Sequence, residues 1–104
     1  MLQGLPKGIQ FLELEKFEPC IGESFYIECQ PAPLEIRLDR VVRLMNGPGF
    51  LPRAPFTAIW STDASISLLL GIYRLRNGGW GPHPIYIEPL HSLGERRQYQ
   101  SVFF

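Results

Sequence analysis

Ten Gly and ten Pro are spread along a chain of 104 residues, and this punctuation limits what the chain can build. Pro breaks helix interiors and removes a backbone donor, Gly weakens helices and strands alike, and both mark turns. The result is many short elements. Between the breaks, apolar residues recur with period two, the spacing of a half-buried strand. In "SFYIECQ" (24–30), Phe25, Ile27 and Cys29 share one face, and Pro31 and Pro33 end the run.

The same pattern continues downstream. In "LEIRLDRVVRLM", Leu34, Ile36, Leu38, Val42 and Leu44 point one way, and Glu35, Arg37, Asp39, Val41 and Arg43 the other. Arg40 interrupts the apolar row and Val41 the polar one. A β-bulge near 39–41 would reset the facing by one residue; without one, Arg40 is a buried polar anomaly that needs water, a carboxylate or a ligand. "PFTAIWS" is a third strand with Phe56, Ala58 and Trp60 together, and "GIYRLR" a fourth, with Tyr73 and Leu75 opposite Ile72, Arg74 and Arg76. "NGGWG" (77–81) is a hairpin turn signalled by Asn77-Gly78. "HPIYIEPL" (83–90) is a fifth strand, beginning and ending at its prolines or running along a sheet edge. "RRQYQSVFF" (96–104) is the last. "TDASISLLL" (62–70) is a connection with a helical turn capped by Thr62 or Asp63. Before the strands, Leu14, Phe17 and Ile21 lie at helical spacing and Pro19 stops the helix, which predicts a helical turn over 10–17, with a strand over "FLELE" as the competing reading.

These elements predict a mainly β fold: about six mostly antiparallel strands closing into a small barrel or two-layer sandwich, with a short N-terminal helical turn. The length fits one domain. Residues 1–8, with Gly4, Pro6 and Gly8, read as a flexible arm before a single β-domain over 9–104.

Formal net charge is zero, so nothing draws the chain as a whole to nucleic acid or anionic membrane. Residues 1–35 are acidic, and beyond Lys16 every basic residue is Arg. The N-terminal "MLQGLPKGIQ" lacks a basic segment followed by an apolar one, and "ISLLLGIY" is too short to span a bilayer, so the expected compartment is the cytoplasm.

Few residues are arranged for chemistry. Cys20 and Cys29 form no C-x-x-C pair and read as two buried or half-buried thiols, with a disulfide as the lesser alternative. His83 and His91 match no common zinc spacing with them, so neither a metal nor another cofactor is expected. "STDAS" (61–65) offers Ser and Asp with nothing to activate them, and "NGGWG" lacks phosphate-loop spacing. Arg among aromatics is the remaining pattern. Arg74 and Arg76 share a strand face, Tyr86 lies on the neighbouring strand, Trp80 in the turn, and Arg96 and Arg97 on the last strand.

Taken in order, "FEPCIGESFYIE" (a Phe-x-Pro-x-x-Gly-x-x-Phe motif), "LEIRLDRVVRL", "RAPFTAIW", "GIYRLRNGGWGPHPIYIEPL" and the closing "RRQYQSVFF" resemble a small single-domain bacterial family of unknown function. The resemblance runs from about Leu12 to the C-terminus. It implies a mainly β domain and supplies no catalytic residues to transfer. The matching positions, among them Phe17, Pro19, Gly22, Phe25, Gly71, Tyr73, Pro89 and Phe103, are fold-specifying types.

The reading is therefore a non-enzymatic interaction or assembly module. Its candidate surface comprises Arg74, Arg76, Trp80, Tyr86, Arg96 and Arg97 with the "NGPGFLP" loop, and its partner is a protein or a second copy. A single-stranded nucleic-acid-binding barrel and a small-molecule-binding barrel are the alternatives.

Overall fold

The computed structural model describes residues 13–44, 55–92 and 94–104. The 1–8 arm and the "NGPGFLP" loop, with Phe50 and Leu51, lie outside these residues. The chain forms a short helix α1 (Leu14–Phe17) running into a 3-10 turn (Glu18–Cys20), then strands β1 (Ser24–Ile27), β2 (Leu34–Arg43), β3 (Phe56–Thr62), β4 (Gly71–Asn77), β5 (Trp80–Pro89) and β6 (Arg97–Phe103). The strands pair antiparallel and close into a barrel in the order β1-β2-β3-β6-β5-β4. Barrel rather than sandwich is thus the outcome, and the last strand is paired on both sides, with β3 and β5.

Phe25, Ile27, Ile36, Leu38, Ala58, Trp60, Leu75, Ile85 and Ile87 fill the interior and are buried. In a barrel this small the inward side chains take up the lumen. Aromatic rings close one end. Phe17, carried in by α1, is fully buried, with ring centroids 5.2 Å from Phe103, 5.4 Å from Trp80, 5.8 Å from Phe56 and 6.2 Å from Trp60. Pro19 redirects the chain after Phe17 through the 3-10 turn, which leaves Ile21 exposed at 44% rather than in the core.

The connection after β3 closes the other end. Its Leu68 is buried. The Tyr99 hydroxyl accepts from the Leu68 N–H at 3.1 Å and lies 3.2 Å from Thr62 Oγ1. No helix forms at the predicted cap. Instead Asp63 accepts the Ser65 N–H at 2.9 Å and its hydroxyl at 2.7 Å, a local turn that competes with helix initiation.

Irregularities in two ladders decide what faces where. The β2–β3 register shifts between Leu38 and Arg40, which is the expected bulge. It turns Val41 inward and Val42 outward, and puts Arg40 on the surface, exposed. The buried anomaly at Arg40 therefore does not arise. The β4–β5 register shifts between Leu75 and Asn77. Opposite it, Gly81 has φ +83°, and a Cβ there would stand 2.6 Å from the Leu75 carbonyl oxygen. Only glycine fits. This shift turns Trp80 inward although Pro84 and Tyr86, at the same alternation, face out.

The prolines of β5 follow from its pairing. The Leu90 N–H bonds to Gln98 O, so by antiparallel alternation the amides of even-numbered β5 residues point away from β4. Pro84 pairs opposite Arg74 without removing a β4–β5 bond, as a strand proline must. β1 is shorter than its pattern. It ends at Ile27, and Cys29 sits past it with its thiol 3.2 Å from Ala32 O. β3 is buried along its whole length.

Truncating Phe17 removes the ring that four others touch. Phe17→Ala is expected to cost about 3–5 kcal/mol, read by urea unfolding; a loss below about 1 kcal/mol would mean that α1 is not needed to close the barrel. Inside, Trp60 Nε1 donates to the buried Ser101 Oγ at 2.9 Å. Ser101→Ala is expected to cost about 1–3 kcal/mol by stranding that N–H, and Ser101→Thr, which keeps an acceptor, less.

Candidate functional site

The six predicted surface residues divide among three places. Arg74 and Arg76 project from β4 and Tyr86 from β5 on one outer wall, which Tyr26 of β1 and Glu28 just past its end continue. Ile72 pairs across to Tyr86 and Tyr26 to Arg76. Large apolar side chains are exposed along this wall: Ile72 at 62%, Tyr86 at 48% and Tyr26 at 38%, with Leu70 at 56% just before β4. Its charges are already matched. Arg74 Nε reaches Glu28 Oε1 at 3.1 Å, and the Arg76 guanidinium stands 5.4 Å from the Tyr26 ring centroid.

Trp80 is not on this wall. It is half-buried between Phe17 and Phe25, whose centroids lie 5.4 and 5.1 Å away, with His83 edge-on at 4.7 Å. Its Nε1 is buried and, among the described residues, has no hydrogen-bond partner. Burial, and then the Arg74 charge, lower the pKa of His83.

Arg96 and Arg97 lie across the barrel. β6 begins at Arg97, so Arg96 belongs to the preceding turn and folds back onto β3. Its Nε donates to Ser61 Oγ at 2.8 Å and its Nη2 to Ser61 O at 3.0 Å. Arg97 Nε caps the Ala64 carbonyl at 3.0 Å. Ser61 is 1% exposed and donates its hydroxyl to Asp39 Oδ1 at 3.1 Å, which also accepts from Arg37 Nε at 2.6 Å. Sequence reasoning missed this chain of four residues. Its one sequence signal was Arg37 and Asp39 two apart on one strand face. Three of the four, all but the buried Ser61, border an open cleft of about 420 Å³ lined by Arg37, Asp39, His91, Gly94, Glu95, Arg96 and Gln98.

The remaining candidates are structural. Cys20 and Cys29 are free, half-buried thiols, and burial followed by the Glu23 carboxylate pushes the Cys20 thiol up. His83 lies near the start of β5 and His91 beyond its end. Among the described residues no three His, Cys, Asp or Glu side chains gather as metal ligands. The Ser65 N–H and then its hydroxyl hold the Asp63 carboxyl below its usual range, so this pair serves the turn. Among the described residues no helix is long and apolar enough to cross a membrane.

Compared with known families, residues 12–103 match the one described as "Domain of unknown function (DUF6916)". Neither a curated protein nor a solved structure matches the chain.

The lowered pKa of His83 gives a pH dependence with a definite sign. Above its ordinary value of 6.5 the imidazole is neutral in both states. As pH falls through that value the unfolded chain takes up the proton first, so stability is lost until the folded group also titrates. Urea unfolding at pH 7.5 and 5.5 is expected to show a smaller drop for His83→Gln than for wild type; equal drops would mean that His83 is freely solvated.

Proposed function

We propose, for a chain that belongs to this family of unassigned function, a non-enzymatic interaction module whose contact surface is the outer wall of β1, β4 and β5. The observation that carries this reading is the row of exposed Leu70, Ile72 and Tyr86 beside Tyr26, on a barrel whose interior is already filled. Exposed apolar side chains rimmed by charge are the composition of a protein contact.

The occupant that fits best is a second copy of the chain. The wall carries its own compensation: Arg74 bonds Glu28, and two copies meeting about a two-fold axis place each Arg beside the other's Glu. Zero net charge removes long-range repulsion between copies. The same matching weakens the nucleic-acid reading, because Arg74 is paired to a carboxylate and Arg76 to an aromatic ring rather than left for phosphates.

Sedimentation equilibrium over a wide concentration range is expected to show reversible dimerisation, which Ile72→Glu or Tyr86→Glu weakens about tenfold or more by burying a charge at the contact. A strict monomer at millimolar concentration, or association that neither variant changes, would overturn it.

A further inference from the structure

The cleft on the opposite wall has no part in that contact, and its geometry is that of a pre-set cationic fork. Arg96 is the central observation. Its guanidinium is half-buried and fixed by two bonds, yet both acceptors belong to Ser61 and are neutral. The ion pairs among the described residues are Arg37–Asp39 and Arg74–Glu28, so no carboxylate among them touches Arg96, although its charge acts on Asp63 from farther away. A guanidinium pinned through Nε and Nη2 presents Nη1 in a fixed direction, with little side-chain freedom left to lose on binding.

Arg37 completes the fork. Its Nε is taken by Asp39, so the fork needs only its two terminal nitrogens, and the residue lines the same cleft as Arg96. Asp39 is the obvious competitor; its Oδ1 accepts from Arg37 and Ser61 together, so it braces Arg37 against the serine that holds Arg96, while its charge offsets that of Arg37. The β2 bulge matters here as well, since Asp39 is the residue at which the register shifts. Bulges are a recurrent device for aiming a side chain. Glu95 stands exposed in the lining and opposes an anion.

We propose that this cleft binds an oxyanion, the carboxylate or phosphate group of a small ligand, between the Arg96 and Arg37 guanidiniums. Both groups offer the paired oxygens that a guanidinium fork recognises. An opening of about 420 Å³ is the size of a small-molecule site.

The test is titration of the full chain at low ionic strength, once with inorganic phosphate and once with succinate, following the arginine Nε–H resonances by NMR. At least one anion is expected to shift the Arg96 resonance saturably. Saturation by phosphate alone identifies a phosphate ligand, by succinate alone a carboxylate ligand, and by both a site that does not distinguish them. Arg96→Gln is expected to weaken binding about tenfold or more. Because that change also removes the hold on Ser61, Arg37→Gln, at a half-exposed position, is the second variant and should weaken binding with the backbone spectrum intact. Glu95→Gln should strengthen it, and Arg74→Gln, across the barrel, should leave it unchanged. Failure of both anions to saturate below about 50 mM, a range far weaker than a specific site, would overturn the proposal, as would wild-type binding by both Arg37→Gln and Arg96→Gln. Neither result bears on dimerisation through the other wall.

Discussion

The burial of the Phe17 ring is the contact on which the rest of the barrel depends. A six-stranded barrel assembled from β1 to β6 alone would be open at the end where Phe25, Phe56, Trp60, Trp80 and Phe103 converge. Those rings come from β1, β3, β5 and β6; strand pairing stacks Phe103 on Phe56, and Phe25 touches Trp60 and Trp80, and the Phe17 ring joins the two groups. A single helical turn inserts Phe17 among four of them. The interaction is largely apolar burial with tilted and edge-on ring geometry, worth more than area alone. That end of the barrel can therefore close without a long helix or a disulfide.

The other end is closed by a different kind of interaction. Leu68 supplies the apolar lid, but its position is set by polar atoms: the Tyr99 hydroxyl between the Leu68 amide and Thr62 Oγ1. A buried hydroxyl that satisfies a loop amide fixes one geometry, since any other leaves donors unpaired. Apolar closure at one end and polar closure at the other enclose an interior packed with buried side chains.

The strands and the barrel were legible because period-two patterning is imposed by the pleat itself. Ile36, Leu38 and Leu75 alternate with charged neighbours, and each is buried. Even the β2 bulge could be read, since Arg40 and Val41 exchange the types that their positions call for. The second irregularity could not. "NGGWG" reads as a five-residue turn, whereas the turn proper is Gly78-Gly79 and β5 already begins at Trp80. Nothing in the local pattern says that a positive φ at Gly81 re-aims that ring into the core. Arg96 and Arg97 have different partners for the same kind of reason. Adjacent residues on a strand face opposite ways, and the strand boundary falls between these two, so one caps a carbonyl while the other folds onto β3. Ser61 was invisible as a hub because its partners, Asp39 and Arg96, are 22 and 35 residues distant.

The barrel order also explains why one chain can carry independent surfaces. β1, β4 and β5 form one wall; Asp39 and Ser61 belong to β2 and β3, with the β5–β6 turn folded over them. Around the ring, β3 stands opposite β4, so the wall that bears Ile72 and the cleft that bears Arg96 face away from each other across a packed core. A core filled at crystal-like density transmits little unless it has two packings, and the fixed bonds of Arg96 to Ser61 supply only one. The proposed contact at the β4–β5 wall and the proposed charge recognition at the cleft are then independent of each other, and substitutions at the two surfaces should be separable in their effects.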